Sequence, residues 1–375
     1  MKKTLIALAV LGAAAGVAHA QSNVTIYGVV DTGFIKKSGH DVEMGENVNN
    51  RLGFRGVEDL GSGMKATFEL EQRFKLNNGT NNAGRGYKNK SADRDLAGLA
   101  NVGLKGDAWG SVKLGRVNEL TTETIRKFDP FYQYGVGSMM YGSQRVRGID
   151  NTIRYDSPNW SGFHFGASYS LGENMDSDSR DQDEKNGAYG KKLKEAGADN
   201  DGYGIMLGYD NGPLALVGNW SRLADSKKSS VWNLGAAYRF GDAKVELLYQ
   251  QTKDKGYALG DESAWAKKTI NGVNNVYSAA DDIQENQWLL GLEWKLGPGR
   301  LNASAQWMEV EANGGNISDK DIYKYAIGYT YDLSKRTSIY GNVAYTDYDD
   351  EEVARIYGDT DDGTYGVQVG ITHKF

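Results

Sequence analysis

Apolar and polar residues alternate strictly along many segments of the chain. The clearest case is the segment 322–331, where every second residue is apolar or aromatic: Tyr323, Tyr325, Ile327, Tyr329 and Tyr331. A period of two places these side chains on one face of a β-strand and the polar ones on the other. The same phase recurs in the segments 203–209, 214–220, 232–240, 243–249, 288–294 and 301–307. The pattern therefore predicts a protein built from many amphipathic strands.

Strand length separates two kinds of all-β protein. A soluble sandwich also alternates, but its strands more often run to about 5–6 residues. The strands predicted here run to about ten residues, with aromatic residues near the ends of the apolar stripe. This length and these aromatic girdles are typical of a transmembrane β-barrel whose apolar face contacts lipid.

The connections between the strands are of two kinds, and the two kinds alternate. Seven short turns lie at 59–63, 106–110, 157–162, 210–213, 240–243, 296–300 and 332–336. Eight polar and mostly long connections lie near 36–49, 77–93, 118–149, 172–201, 223–229, 254–283, 312–320 and 348–362. Together they predict a sixteen-stranded antiparallel barrel with short periplasmic turns and long external loops.

The first twenty residues have the features of a secretory signal peptide. Lys2 and Lys3 precede an apolar run over 5–17, and Ala18-His19-Ala20 forms a cleavage site. No later stretch contains the roughly 20 consecutive apolar residues of a transmembrane helix. We therefore expect a signal peptide over 1–20 and an exported β-barrel domain over 21–375.

Composition excludes several kinds of chemistry. The chain has no cysteine, which excludes disulfides, thiolate nucleophiles and thiolate metal sites. Its formal net charge of −6 argues against a nucleic-acid partner. The acidic segment 176–184 begins like a calcium-binding loop but lacks the required Gly and closing Glu. The sequence therefore predicts no cofactor and no dedicated metal site, and it leaves open the weak binding of divalent cations by the acidic external loops.

Five segments carry a resemblance to a known family. They are NVTIYGVVDTG (23–33), RLGFRGVEDLGSGMKATFELEQRF (51–74), VGLKGDAWGSVKLGR (102–116), NTIRYDSPNWSGF (151–163) and the terminal Phe375. In these segments the chain resembles the general-diffusion porins of Gram-negative bacteria, of the trimeric sixteen-stranded kind found in Neisseria and the Burkholderiales.

The resemblance implies a passive channel for small hydrophilic solutes and ions in the outer membrane. It also implies a homotrimer that contacts membrane lipid and lipopolysaccharide. The third external connection, 118–149, is expected to fold into the barrel and narrow the pore. Phe375 resembles the terminal signal that outer-membrane proteins present to their insertion machinery.

Alternation also predicts which charged residues line the constriction. Leu52 and Phe54 take the lipid phase, so Arg51 and Arg55 point into the lumen. On the third strand Arg73 faces inward together with Glu69 and Glu71, and the resemblance adds an inward Arg147 on the sixth strand. Related porins have a further arginine on the fourth strand, where this chain has Gly98.

The inward-folded loop supplies acidic candidates, Glu123 and Asp129, together with Glu119. A basic wall opposite an acidic loop would create a transverse field, and three wall arginines against one or two loop acids predict a modest preference for anions. Two alternatives stay open. The arginines could be neutralised by nearby carboxylates, and the loop acids could simply attach the loop to the wall.

A membrane enzyme is the main alternative class of protein. Outer-membrane hydrolases need a histidine paired with an acid or a serine. The mature chain has only His40, His164 and His373, spread over the first loop, the lumen and the last strand, and no G-x-S-x-G, H-E-x-x-H or P-loop pattern occurs. The sequence therefore favours a channel over an enzyme. An additional role of the external loops as an adhesin or phage receptor stays open.

Overall fold

A computed structural model describes residues 23–81, 95–140, 148–172, 201–223, 229–254, 282–313, 320–349, 351–357, 359 and 361–375. Within them sixteen strands form the wall of a barrel. The first eight are β1 Asn23–Lys37, β2 Arg51–Gly61, β3 Met64–Arg73, β4 Ala100–Gly106, β5 Gly110–Asn118, β6 Gly148–Asp156, β7 Phe163–Ser170 and β8 Gly202–Asn211. The second eight are β9 Leu214–Arg222, β10 Ser230–Phe240, β11 Ala243–Asp254, β12 Asp282–Leu296, β13 Gly299–Asn313, β14 Lys320–Asp332, β15 Thr337–Tyr348 and β16 Gly363–Lys374.

Every strand pairs antiparallel with its neighbours in the sequence, and the last strand pairs with the first. The closing ladder runs from Val29 opposite Lys374 to Lys37 opposite Gly366. A short strand, Glu43–Gly45, adds to β1 beside this ladder. Closure matters because an unpaired strand edge in hydrocarbon would leave its N–H and C=O groups without partners, at several kcal/mol each. The predicted sixteen-stranded antiparallel barrel is confirmed.

The two ends of the barrel differ as the connections predict. Adjacent strands at one end are joined by tight turns, and Gly212, Gly241 and Gly297 in three of them have φ of 57°, 60° and 60°. That left-handed region favours glycine, so the turns can stay short. Most connections at the other end are longer, and the longest separates β7 from β8.

The outer face of the barrel is apolar and carries aromatic clusters. Trp232 packs on Tyr249 with ring centroids 4.8 Å apart, and Tyr249 packs on Trp288 at 4.4 Å. These residues lie toward the loop ends of three consecutive strands. Phe163 and Tyr209, at the turn end, are 4.6 Å apart. Amphipathic rings at both ends of an apolar band are typical of the two membrane interfaces.

Two short helices lie in the described parts of the connections. Helix α1 spans Leu120–Thr124 and continues into a 3₁₀ helix, Ile125–Phe128, both between β5 and β6. Helix α2 spans Glu351–Ile356, between β15 and β16. Within the described ranges no helix is long and apolar enough to cross a membrane.

Some predictions concern residues that the structure does not describe. The expected signal peptide over 1–20, most of the second and fourth loops, and Arg147 lie outside the described residues.

Candidate pore constriction

The third loop folds into the barrel and packs against the inner wall. Its buried apolar residues are Leu120, Ile125, Phe128 and Met139, and they contact inward residues of β8 to β12: Met206, Val217, Ala237, Leu248 and Leu289. Burial of these side chains gives the loop a small apolar core inside an otherwise polar lumen. The inward fold of the third loop is confirmed.

Beyond this core the loop crosses to the opposite wall. The Val136 N–H donates to Gln368 of β16 at 3.2 Å, and the Met140 N–H donates to Gln306 of β13 at 2.6 Å. Lys324 of β14 donates to the carbonyl of Ser138 at 2.8 Å. The loop is therefore attached on both sides of the lumen, which fixes its position across the pore.

Asp129 organises the turn of the loop. Its carboxylate accepts hydrogen bonds from the backbone N–H groups of Phe131 (3.0 Å), Gln133 (2.8 Å) and Met139 (2.9 Å). The side chain is 0% exposed. Burial raises the pKa of Asp129 above its usual value, although the three N–H donors act in the opposite direction. The structure thus places Asp129 inside the loop and away from the open lumen.

Glu119 has a comparable local role. Its carboxylate accepts from the Thr122 N–H and the Thr121 hydroxyl, both at 2.6 Å, and so caps the first turn of α1. An N-terminal cap of this kind satisfies a backbone donor that has no partner within the helix. Glu119 is only 2% exposed. This acid, too, stabilises the loop fold instead of facing solutes.

Glu123 attaches α1 to the barrel wall. It accepts from Asn118 at 2.9 Å and forms an ion pair with Arg154 of β6. Arg154 also bonds the Asp156 carboxylate, at 2.9 Å from Nη2. Burial raises the pKa of Glu123, but Arg154 and Asn118 lower it, and the net pKa lies below the usual value. For Glu123 the contact corresponds to the alternative that the sequence left open, an acid that attaches the loop to the wall.

Two wall arginines of β2 and β3 lie near one glutamate, and a third lies beside the tyrosine that donates to it. Arg73 Nε lies 2.9 Å from Glu71 Oε1, and Arg51 Nε lies 3.9 Å from Glu71 Oε2. The Tyr27 hydroxyl donates to the same carboxylate at 3.2 Å. Arg55 lies over the Tyr27 ring, 5.3 Å from its centroid, and is exposed. Sequence reasoning placed Arg51, Arg55 and Arg73 on this inner face, and the structure brings them together there.

The tip of the loop reaches this arginine cluster. The side chain of Arg51 hydrogen-bonds Tyr134 of the loop. The Glu71 side chain packs directly against Gly98, because a Cβ on Gly98 would lie 2.3 Å from Glu71 Oε1. The absence of a side chain at position 98 therefore lets Glu71 occupy this place beside the cluster. Arg147, the remaining arginine of the predicted set, lies outside the described residues.

Sequence reasoning missed two basic side chains of the site. Arg154 was detectable, because Ile153 takes the lipid phase and its neighbour must therefore face inward. Arg126 was not, because a short irregular loop has no period that fixes where a side chain points. With Glu119, Glu123 and Asp129 engaged in local bonds, the loop has fewer free acidic groups than the sequence suggested.

Over almost its full length the chain is similar to outer-membrane channel proteins. A family model described as Gram-negative porin matches residues 7–351. An outer membrane porin protein of Bordetella pertussis is 32% identical, and outer membrane porin protein 32 of Delftia acidovorans is 33% identical, each with 100% of both chains covered. A solved structure of an anion-selective porin from Comamonas acidovorans superimposes with a TM-score of 0.71 at 25% identity, covering 95% of this chain and 100% of that one.

Proposed function

The chain belongs to the Gram-negative porin family and is a passive diffusion channel of the outer membrane, and from this premise we propose that it prefers anions. A channel of this kind, which is not an enzyme, selects by pore width and by the charge on its wall. The observation that carries the proposal is the group of three inward arginines: Arg51 and Arg73 share the carboxylate of Glu71, and Arg55 lies over the ring of Tyr27 beside them.

The charge balance of this cluster is positive. Glu71 neutralises about one of the three arginines, and Arg55 has no ion-pair partner among the described residues. Nearby charges largely cancel, because Lys113 pairs with Glu69 at 2.8 Å. A narrow, poorly screened passage strengthens the effect of the remaining positive charge on passing ions.

The loop does not offset this positive charge with a free acid of its own. Asp129 and Glu119 are buried and accept hydrogen bonds from the loop itself, and Glu123 is paired with Arg154. Arg147 remains part of the proposed constriction as an expectation from the resemblance. The similarity to an anion-selective porin supports the same sign of selectivity. Because this chain has Gly98 where related porins have a further arginine, we expect a modest preference, roughly a few-fold.

The zero-current potential across a planar bilayer in a KCl gradient tests the proposal. We expect the potential to show anion preference for the wild type and to move toward zero in Arg51→Gln and Arg55→Gln. Lys335→Gln is the matched control, because it removes one positive charge from an exposed turn away from the lumen. A cation-selective wild type, or variants that behave like the control, would refute the arginine constriction.

We also propose that the channel is a homotrimer. β4 has 7 residues and β7 has 8, fewer than the about 9–11 that a tilted strand needs to cross the hydrocarbon. On the other side of the barrel β12 and β13 have 15 residues each and form a tall wall. The strands from β4 to β7 form a low wall. Its outer face is nevertheless apolar and exposed, at Val102, Leu104, Leu114 and Ile153. Neighbouring copies would cover this wall, and lipid with lipopolysaccharide would surround the taller strands.

Migration on gels without heating, together with light scattering in mild detergent, tests the assembly. We expect a band and a scattering mass of three chains, which collapse to one chain after boiling. Leu104→Asp, at the centre of the low wall, should weaken the trimer, whereas Leu290→Asp on the tall wall should not change the number of chains. A wild-type protein that scatters as a single chain would contradict the proposal.

A further inference from the structure

A cavity of about 320 Å³ lies beneath the third loop, beside the main passage. The loop residues that line it are Glu123, Thr124, Arg126, Lys127 and Tyr132, and His164 of β7 lies beside them. Met206 of β8 and Val217 of β9 provide an apolar wall. Ligand pockets in proteins span about 300–1,000 Å³, so this volume suits a small molecule. The lining combines two cationic side chains and one carboxylate, Glu123, with an apolar surface.

Arg126 is the side chain in this cavity that has a free hydrogen-bonding edge. Its Nε lies 3.4 Å from Gln133 Oε1, and its guanidinium lies over the Tyr134 ring, 5.8 Å from the centroid. Within the described part of the chain it forms no ion pair with a carboxylate. The terminal nitrogens are therefore available, and a planar guanidinium can bind a carboxylate through two parallel hydrogen bonds.

The other basic groups of the cavity are already close to a carboxylate, whereas Arg126 interacts with Glu123 only at longer range. Lys127 Nζ lies 2.5 and 2.7 Å from the two oxygens of Asp210, and His164 Nε2 lies 3.5 Å from Asp210 Oδ2. Glu123, the acid nearest to Arg126 on the loop, is held by Arg154. Of the cations that line this cavity, Arg126 is thus the one that a bound anion can engage without displacing a partner.

We propose that this cavity is a weak binding site for small organic carboxylates, with the carboxylate on Arg126 and the apolar part of the ligand against Met206 and Val217. The inference extends the proposed anion preference. It rests on that preference only because anions must enter the pore to reach the cavity. The site holds a carboxylate beside the passage and raises its local concentration there. Inorganic anions lack the apolar part and gain only the contact with the arginine.

Benzoate is a suitable probe, because it joins a carboxylate to a flat apolar ring. Benzamide has the same ring without the charge, and acetate has the charge without the ring. Titration calorimetry of the detergent-solubilised protein should show the highest affinity for benzoate, a lower affinity for acetate and the lowest for benzamide. Arg126→Gln should lower the affinity for benzoate about ten- to a hundredfold, as expected for the loss of a charge-assisted hydrogen-bonded pair. Arg126→Lys should retain part of the affinity.

Two control variants test the role of the charge and the role of the apolar wall separately. Arg336→Gln removes the same charge from an exposed turn and should leave benzoate binding unchanged. Met206→Ser should weaken benzoate more than acetate, because only benzoate uses the apolar wall. Equal binding of benzoate by wild type and Arg126→Gln, or equal binding of benzoate and benzamide, would overturn the site. Conductance recorded on the same preparations separates the two proposals: an anion-selective channel that does not bind benzoate refutes the site alone, and a cation-selective channel that binds it refutes only the proposed selectivity.

Discussion

At the scale of single residues, Asp129 sets the shape of the constriction loop. One carboxylate oxygen accepts from Phe131, and the other accepts from both Gln133 and Met139. In Asp129→Asn the amide group can replace only one of these acceptors, so a buried N–H loses its partner at a cost of about 1–3 kcal/mol. We expect a more mobile loop inside an intact barrel. Current noise of the open channel measures this motion and should rise.

Asp332→Asn is the control for this variant, because Asp332 is exposed at a turn. It should leave the current noise at the wild-type level. Both variants should keep the wild-type unfolding temperature of the barrel to within a few degrees, since the wall is not touched. Unchanged noise in Asp129→Asn would mean that the carboxylate does not hold the loop.

Residue-level detail is also where sequence reasoning is weakest. Period two predicts that Arg51, Arg55 and Arg73 lie on the inner face, since the strand geometry leaves only two directions. No comparable rule applies in an irregular loop, where Asp129 and Glu119 accept hydrogen bonds from neighbouring N–H groups. The sequence does not show whether a carboxylate accepts its hydrogen bonds from solvent or from the backbone.

At the scale of elements, the seam between β1 and β16 closes the barrel. The N–H of Gly28 donates to the Phe375 carbonyl, and the Phe375 N–H donates back to Gly28, both at 3.1 Å. The Phe375 ring occupies the space beside Gly28, where a Cβ would lie 2.3 Å from a ring carbon and 2.7 Å from the carbonyl oxygen of Arg51. The second of these contacts is with backbone, which cannot move aside easily.

We therefore expect Gly28→Ala to lower the unfolding temperature of the barrel by several degrees, through strain of about 1–3 kcal/mol at the seam. Gly341→Ala in β15 is the matched control, because a Cβ there would lie at an ordinary 3.7 Å from Val369. The loss of heat-resistant migration on gels, followed against temperature, measures both. A Gly28→Ala barrel as stable as Gly341→Ala would show that the seam tolerates a side chain.

Elements were the level that the sequence predicted best. Strands and turns follow from local alternation and from glycine-containing turns, and each predicted turn joins two strands of the barrel. The order of the strands needed no further information, because each strand pairs with its neighbours in sequence. The packing of α1 against β8 to β12 depends on contacts between distant residues, and only the family resemblance predicted it.

At the scale of the whole molecule, the barrel has one end of short turns and one end of long loops. The family places the turns in the periplasm, so the loops face the outside of the cell. The chain has no native cysteine, so a single introduced cysteine reports its own accessibility without background. His40→Cys, exposed in the first loop, should react on intact cells with a maleimide attached to a polyethylene glycol chain that is too large to pass through the pore. Ser334→Cys, exposed in a turn, should react only after permeabilisation.

The same pair of variants checks the orientation from both sides. Reaction of Ser334→Cys on intact cells, with His40→Cys protected, would mean that the barrel is inserted the other way round. Equal reaction of both in permeabilised cells is needed as the internal reference for thiol reactivity.

The central claim is that the chain forms a permanently open, water-filled channel narrowed by its third loop. Single-channel recording in a planar bilayer tests this claim most directly. The account predicts discrete conductance steps, a current that is linear with voltage, and a conductance that rises in proportion to the KCl concentration. Absence of steps, or a current that saturates at moderate salt as in a carrier with a single tight site, would contradict it.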